Sequence, residues 1–310
     1  MPKKNVIIFG YDELLLTTLD LFSETDTEIS AVVFPSNRAD PRIDKIRSIV
    51  KGRGFRTIRQ PPRKRISKFV KKLRSIKPDL IFVWSYTMIL PADVVEIPKL
   101  GSVNLHMGLL PEYRGVNGIR WALINGEEET GVTLHYMDAG IDTGDIISKA
   151  KFPIDPEDDI LSLMLKSRAA GLDLLKNTWH QIISGTAKAS PQDESKAGYY
   201  SAKMSDIETI DWSRPSNEIS CLIRASAIPF PGVSTFWNDQ KLTIRKAFVQ
   251  ETDPAGEPHG TITNISKEGI EVATGNGKLF VTEIELDGDK TRISRLIEMG
   301  LKTGDVFSNG

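Results

Sequence analysis

Between residues 4 and 184 short, β-branched apolar runs alternate with longer stretches of helical periodicity, the pattern of a parallel sheet covered by helices. The runs "NVIIFG", "EISAVVF", "DLIFVW", "SVNLH", "GVTLHYM" and "IISKAKF" read as strands. Residues 11–23, 64–76, 117–125 and 158–184 read as helices, with acidic residues gathered ahead of the last, where they suit a helix N-terminus. The expected class is doubly wound α/β. Beyond a polar connection, "SGTAKASPQDESKAGYYSAK", the pattern changes to short alternating runs bounded by turn residues: "GVSTFW", "KLTIRKAFV", "GTITNIS", "GIEVAT" and "KLFVTEIEL". "TGNGK" at 274–278 suits a hairpin turn. A small antiparallel barrel with one helix near 292–299 is the expectation there. The chain thus divides into a domain over 1–190, a linker over 191–204 and a second domain over 205–310.

Composition narrows the class of protein. A chain of 310 residues can bury two cores, and 40% hydrophobic with 26% charged residues at a net charge of −1 is the balance of a water-soluble globular protein. "MPKKNVIIFG" has a basic start, but its apolar run is too short for a secretory signal, and no segment approaches the roughly 20 apolar residues of a membrane span. Cys221 is the only cysteine, which rules out an internal disulfide, suits a reducing cytoplasm and leaves the residue the role of core filler. "FGYDEL" stands after the first strand, where a dinucleotide fold carries its glycines, so a nicotinamide or flavin dinucleotide is not expected. No Gly-Lys-Ser/Thr phosphate loop occurs, and His106, His135, His180 and His259 lack ligand spacing, so no metal is expected.

Charge is unevenly spread. Between Asp44 and Asp79 there is no acidic residue, while "KGRGFRTIRQPPRKRISKFVKKLRSIK" carries twelve Lys and Arg. One reading is a solvated helix with Ile66, Phe69, Val70, Leu73 and Ile76 on its buried side; the other is a phosphate-binding surface. From 205 to 310 eleven Lys and Arg stand against sixteen Asp and Glu, a local charge of −5.

The candidate chemistry lies in "VNLHMGLLPEYRG", residues 103–115. Asn104 and His106, two apart at the end of a strand, leave it on the same face, and the carboxyl ends of strands border the ligand crevice of an open α/β sheet. A second loop, "MDAGIDTGDII", offers Asp138, Asp142 and Asp145 around two glycines, and a carboxylate beside a buried imidazole orients it and raises its pKa. On residue chemistry alone a structural histidine and an ordinary Asx/Gly turn stay open.

Asn104-x-His106, the following "LLPEYRG" and Asp142 in "DTGD" together resemble the N10-formyltetrahydrofolate-dependent formyltransferases, and "IDWSRPSNEISCLIRA", "PFPG" and "VATGNGKLFVTEIEL" extend the likeness through the second domain. The resemblance implies a Rossmann-like catalytic domain, an OB-like C-terminal barrel and N10-formyltetrahydrofolate as co-substrate. It makes His106 the general acid/base, Asp142 the group that holds it and raises its pKa, and Asn104 the donor, through its amide NH₂, to the oxyanion. The folate is expected against Met88, Ile89 and Leu90 of "YTMILP" and Asp138, Ala139, Gly140 and Ile141, with Gly108, Leu109, Leu110, Pro111 and Val116 bordering the site.

Two departures bear on the acceptor. Gly108 stands where most of the family has Ser, and Val116-Asn117-Gly118 replaces the usual Ala-Ala-Pro or Arg-Ala-Pro. Within the family the acceptor is the amine of a nucleotide-linked amino sugar or of methionyl-tRNA. The segment "FPSNRADPRIDKIRS" is shorter and more acidic than the tRNA enzymes' basic loop, Trp121 matches the amino-arabinose type, and the second domain is acidic. A nucleotide-linked amino sugar or other small amine is therefore the expected acceptor, with methionyl-tRNA the alternative. A non-catalytic folate-binding protein is disfavoured by the joint presence of Asn104, His106 and Asp142. No membrane partner is expected, and the oligomeric state is open.

Overall fold

Alternation along the first strand sorts its side chains between two cores. Val6 and Ile8 enter one cluster, Ile7 and Phe9 the other, so the run is apolar throughout because both faces of the sheet are covered. In the computed structural model, which describes residues 3–37, 40–201, 209–250 and 256–309, this strand is β1 (Lys4–Phe9). The chain forms two units, one from 1–118, 131–152 and 166–200, the other from 119–130, 153–165 and 201–310.

In the first unit β1 leads to α1 (Glu13–Ser23), β2 (Thr27–Phe34), α2 (Pro41–Gly52), β3 (Thr57–Arg59), α3 (Ile66–Ile76), β4 (Leu80–Trp84), α4 (Ala92–Val95) and β5 (Ser102–His106). There follow β6 (Arg114–Gly115), α5 (Gly118–Ile124), β7 (Glu129–Tyr136), β8 (Ile146–Pro153), α6 (Ile160–Ser184) and β9 (Tyr199–Tyr200), of which α5 from 119 on and the starts of β7 and α6 belong to the second unit. The seven-stranded sheet has the order β3-β2-β1-β4-β5-β7-β8. β1 to β5 run parallel, but β7 pairs antiparallel with β5, so the expected parallel sheet is mixed at this edge. Apolar residues of α1, α2 and α6 cover one face, where Trp179 stacks on Phe22 and donates to Thr27 Oγ1 at 2.9 Å. Those of α3 and α4 cover the other.

The sequence pattern left α2 and β3 unread. Ile43, Ile46 and Val50 of α2 are buried at helical spacing, and Asp40 caps it by accepting from Arg42 N–H, with Pro41 in the first turn. The expected linker also differs. Residues 191–200 are held on the first unit, where β9 pairs parallel with β6, while 202–204 and the expected start of the second domain at 205 lie outside the described residues.

In the second unit α7 (Ser216–Ala225) precedes β10 (Val233–Trp237), β11 (Gln240–Gln250), β12 (Ile262–Ile265), β13 (Ile270–Ala273), β14 (Lys278–Leu286), β15 (Asp289–Thr291) and α8 (Ile293–Glu298). The sheet runs β10-β11-β14-β13-β12, with β15 on β14. Thr274–Gly277 makes the expected turn, Thr274 N–H donating to Gly277 O at 3.1 Å. The C-terminal segment bridges Phe236 to Ser308 and Thr261 to Val306, joining β10 to the strand opening β12. There are two helices where one was expected, because Ile219, Leu222 and Ile223 of α7 pack into this core.

Candidate active site

β5 places the site. Val103 and Leu105 point into the core, which turns Ser102, Asn104 and His106 to the opposite face, and Ser102 Oγ anchors the strand by donating to Val95 O at 2.7 Å. Antiparallel pairing with β7 sets His135 directly opposite Asn104. The loop after β7 returns Asp142 to the same point, with its backbone in the left-handed region at φ 54°.

The hydrogen bonds fix most of the proton positions. His106 Nε2 lies 2.7 Å from Tyr113 O, a distance that two acceptors would not tolerate, so this nitrogen carries a hydrogen. His106 Nδ1 then faces Asp142 Oδ2 at 3.6 Å. By the same reasoning His135 Nδ1, 2.7 Å from Tyr136 O, is the protonated nitrogen, leaving Nε2 to accept from Asn104 Nδ2 at 3.1 Å. The second hydrogen of the Asn104 amide has only a long contact of 3.4 Å with Asp142 Oδ1. The NH₂ expected to be free for an oxyanion is thus half committed to His135.

Asp142 Oδ2 accepts from Gly115 N–H at 2.9 Å. Burial works against this carboxylate, but the two imidazoles and that N–H outweigh it and hold its pKa well below the usual range. Burial lowers the pKa of His106, and the opposing charge of Asp142 does not restore it. The net direction is therefore opposite to the expected rise, because the ring is only 7% exposed and desolvation outweighs its partner.

A segment from outside both loops ties them together. Gln192 Nε2 donates to Asp142 O and to Gly144 O, each at 2.7 Å, while its Oε1 accepts from Arg114 Nε at 3.0 Å and Nη2 at 2.9 Å. Arg114, fully buried, also binds both carboxylate oxygens of Glu194 and Tyr199 OH. Gln192 was not singled out in the sequence, Arg114 stood there only as part of "LLPEYRG" without a role, and His135 was not placed beside the site; the antiparallel register would have found His135, and no local signal marks Gln192.

The residues expected to border the folate divide into exposed, half-buried and buried ones. Ile89, Val116 and Ile141 are large apolar side chains left 81%, 49% and 53% exposed on three loops at the carboxyl edge of the sheet, and Asp138, Ala139 and Gly140 are exposed beside Ile141. Leu90 instead belongs to the core beneath the sheet. Gly108, Leu110 and Pro111 are buried, Leu109 is half-buried, and Leu110 bonds through its main chain, N–H to Thr133 Oγ1 at 3.1 Å and carbonyl to Lys149 Nζ. Met88 is half-buried, its sulfur 3.2 Å from Ser36 N. At Gly108 a Cβ would stand 2.9 Å from His106 Nε2, so this ring position requires the glycine that departs from the family's Ser.

The mixed sheet carries a His–Asp–Asn cluster at its strand ends, able to move a proton and donate to an oxyanion, and an antiparallel second unit follows it. Residues 4–178 match the formyl transferase family and 204–297 the formyl transferase C-terminal domain, and the chain belongs to this family of folate-dependent enzymes, which use N10-formyltetrahydrofolate. It is 33% identical to a methionyl-tRNA formyltransferase of Citrifermentans bemidjiense over 94% of this chain and 91% of the relative. It is 40% identical to that of Clostridium novyi over 72% and 71%. In fold it is similar to an N-formyltransferase from Helicobacter canadensis in complex with folinic acid and dTDP-3-aminofucose, at a TM-score of 0.70 and 23% identity over 89% of this chain and 98% of that one. Among the described residues no cluster of three or more His, Cys, Asp or Glu could hold a metal, and no helix is long and apolar enough to cross a membrane.

Proposed function

We propose that this chain transfers the formyl group of N10-formyltetrahydrofolate to the amino group of methionyl-tRNA. The observation that carries the reading is whole-chain similarity to methionyl-tRNA formyltransferases, through both units. The amino-sugar acceptor expected from the sequence has in its favour a likeness of fold at 23% identity and the −5 charge of residues 205–310. It is the second reading.

In the reaction the amine attacks the formyl carbon, a new C–N bond forms, the bond to N10 breaks, and a proton passes from the amine to the departing nitrogen. His106 handles that proton. A proton taken at Nδ1 yields an imidazolium whose charge meets Asp142 Oδ2 and whose Nε2–H is already received by Tyr113 O, so the charged form is met at both nitrogens. The Asn104 hydrogen not used by His135 stabilises the oxyanion; being neutral, it does so without quenching the attacking amine. Asp142 keeps its charge throughout. The folate supplies the one-carbon unit, and the uncovered side chains of Ile89, Val116 and Ile141 suit its flat rings. The first unit carries this chemistry, with Gln192 holding the loop of Asp142.

The test follows tetrahydrofolate release with methionyl-tRNA and, separately, with a panel of UDP- and dTDP-amino sugars. Release with methionyl-tRNA is the expected result; release with an amino sugar alone overturns the acceptor and leaves the chemistry.

A further inference from the structure

The basic run noted in the sequence is not used by the site. Its apolar residues Phe69, Val70 and Leu73 are consumed by the core under the sheet, with Ile66 and Ile76 packed beside them. Upstream, four arginines have carboxylate partners: Arg42 pairs with Asp40, Arg47 and Arg59 with Asp44, and Arg53 with Asp20. Farther along, Arg63, Lys64, Arg65, Lys68, Lys71 and Lys72 are all exposed, and none has an ion-pair partner among the described residues. They form a strip over the 3-10 turn Arg63–Arg65 and the first two turns of α3.

The strip starts at the working edge of the sheet. It leaves the carboxyl end of β3, which runs parallel to β2 and thus to β4 and β5, and Gln60 just before it donates to Ile89 O at 3.1 Å. From there α3 runs away over the sheet, and four residues at about 1.5 Å rise set Lys68 and Lys72 roughly 6 Å apart along the axis. A diphosphate engages two or three such side chains; six in sequence, without acidic interruption, match a longer row of phosphates. With its apolar side in the core, α3 has nothing to insert into a lipid surface.

We propose that the strip Arg63–Lys72 is a docking surface for the phosphate backbone of an RNA acceptor, guiding it toward Asn104 and His106. This rests on the tRNA reading above and supplies it with a basic surface on the first unit, where the loop after β2 is short and residues 205–310 are acidic. The test compares the wild type with the Lys64→Gln/Lys68→Gln/Lys72→Gln variant, whose substitutions are all on exposed side chains. Binding of uncharged, transcribed initiator tRNA is titrated from 50 to 300 mM salt, and an acidic peptide of equal charge is run beside it. The wild type is expected to bind RNA with a steep salt dependence. The variant is expected to bind at least about tenfold more weakly, with a log–log salt slope shallower by about 2 to 3. Equal binding by the two proteins, no RNA binding by the wild type at 50 mM salt, or loss confined to the peptide each overturns the proposal. Formylation of methionyl-tRNA, measured separately, reports on the acceptor: wild-type turnover with unchanged variant KM sinks the strip alone, and RNA binding without turnover sinks the acceptor alone.

Discussion

The first unit holds two polar regions built on opposite terms. Around His106 nearly every polar atom is spent within the protein: on a main-chain carbonyl, on Asp142, on His135 or through Gln192. Along Arg63–Lys72 none of the six cations has an internal ionic partner among the described residues. The first arrangement fixes orientation before substrate arrives, as stabilising a transition state requires. The second leaves charge hydrated and exchangeable, as binding a long anion by counterion release requires. Substitutions in the two regions should therefore move different kinetic constants.

The contrast is broken most severely at His106. His106→Ala is expected to lower kcat by about 10² to 10⁴ with the protein still folded, and Asn104→Ala by about 10² to 10³; single-turnover formyl transfer measures both, and near-normal rates refute the assignments. Asp142→Asn sharpens it through pH. Because burial holds the His106 pKa below its ordinary 6.5, kcat/KM of the wild type should rise with pH along a limb centred below that value, where the ring loses its proton. Removing the Asp142 charge deletes the influence that opposes burial, so the limb should move to still lower pH while the plateau falls; a limb moving upward would reverse the assigned cause. Gln192→Ala is expected to cost kcat up to about 10²-fold through loss of loop position, with KM for the folate less affected. Gln192→Glu should recover little, since a carboxylate cannot donate to two carbonyls. Gly108→Ala is a milder probe: its Cβ meets the tip of the His106 ring, and a several-fold drop in kcat is expected as the ring is turned off Tyr113 O. Smallest of all, Lys68→Gln should leave kcat unchanged within about twofold.

Most of the longer strands were legible as short apolar runs, and Asn104 and His106 as same-face neighbours, because both signals are local. α2 was missed because its three buried residues are set among charges, and β3 because three residues carry too little pattern. The expected rise of the His106 pKa followed from pairing a carboxylate with an imidazole, but the sign depends on how far the ring is removed from water, which no spacing reports. Leu90 looked like a pocket residue in "YTMILP", yet which of three consecutive apolar residues faces the core is decided by the strand before them. His135 became a site residue only once β7 was seen to run antiparallel to β5.

Gln192 also has a kinetic meaning. It contacts residues 48, 50 and 78 positions earlier in the chain, so its bonds close long loops whose entropy cost is met only after the sheet they join exists. The Asp142 loop is thus expected among the last parts to reach native geometry. On refolding from denaturant, the tryptophan fluorescence, to which buried Trp84, Trp179, Trp212 and Trp237 contribute, should return first, and turnover should trail it.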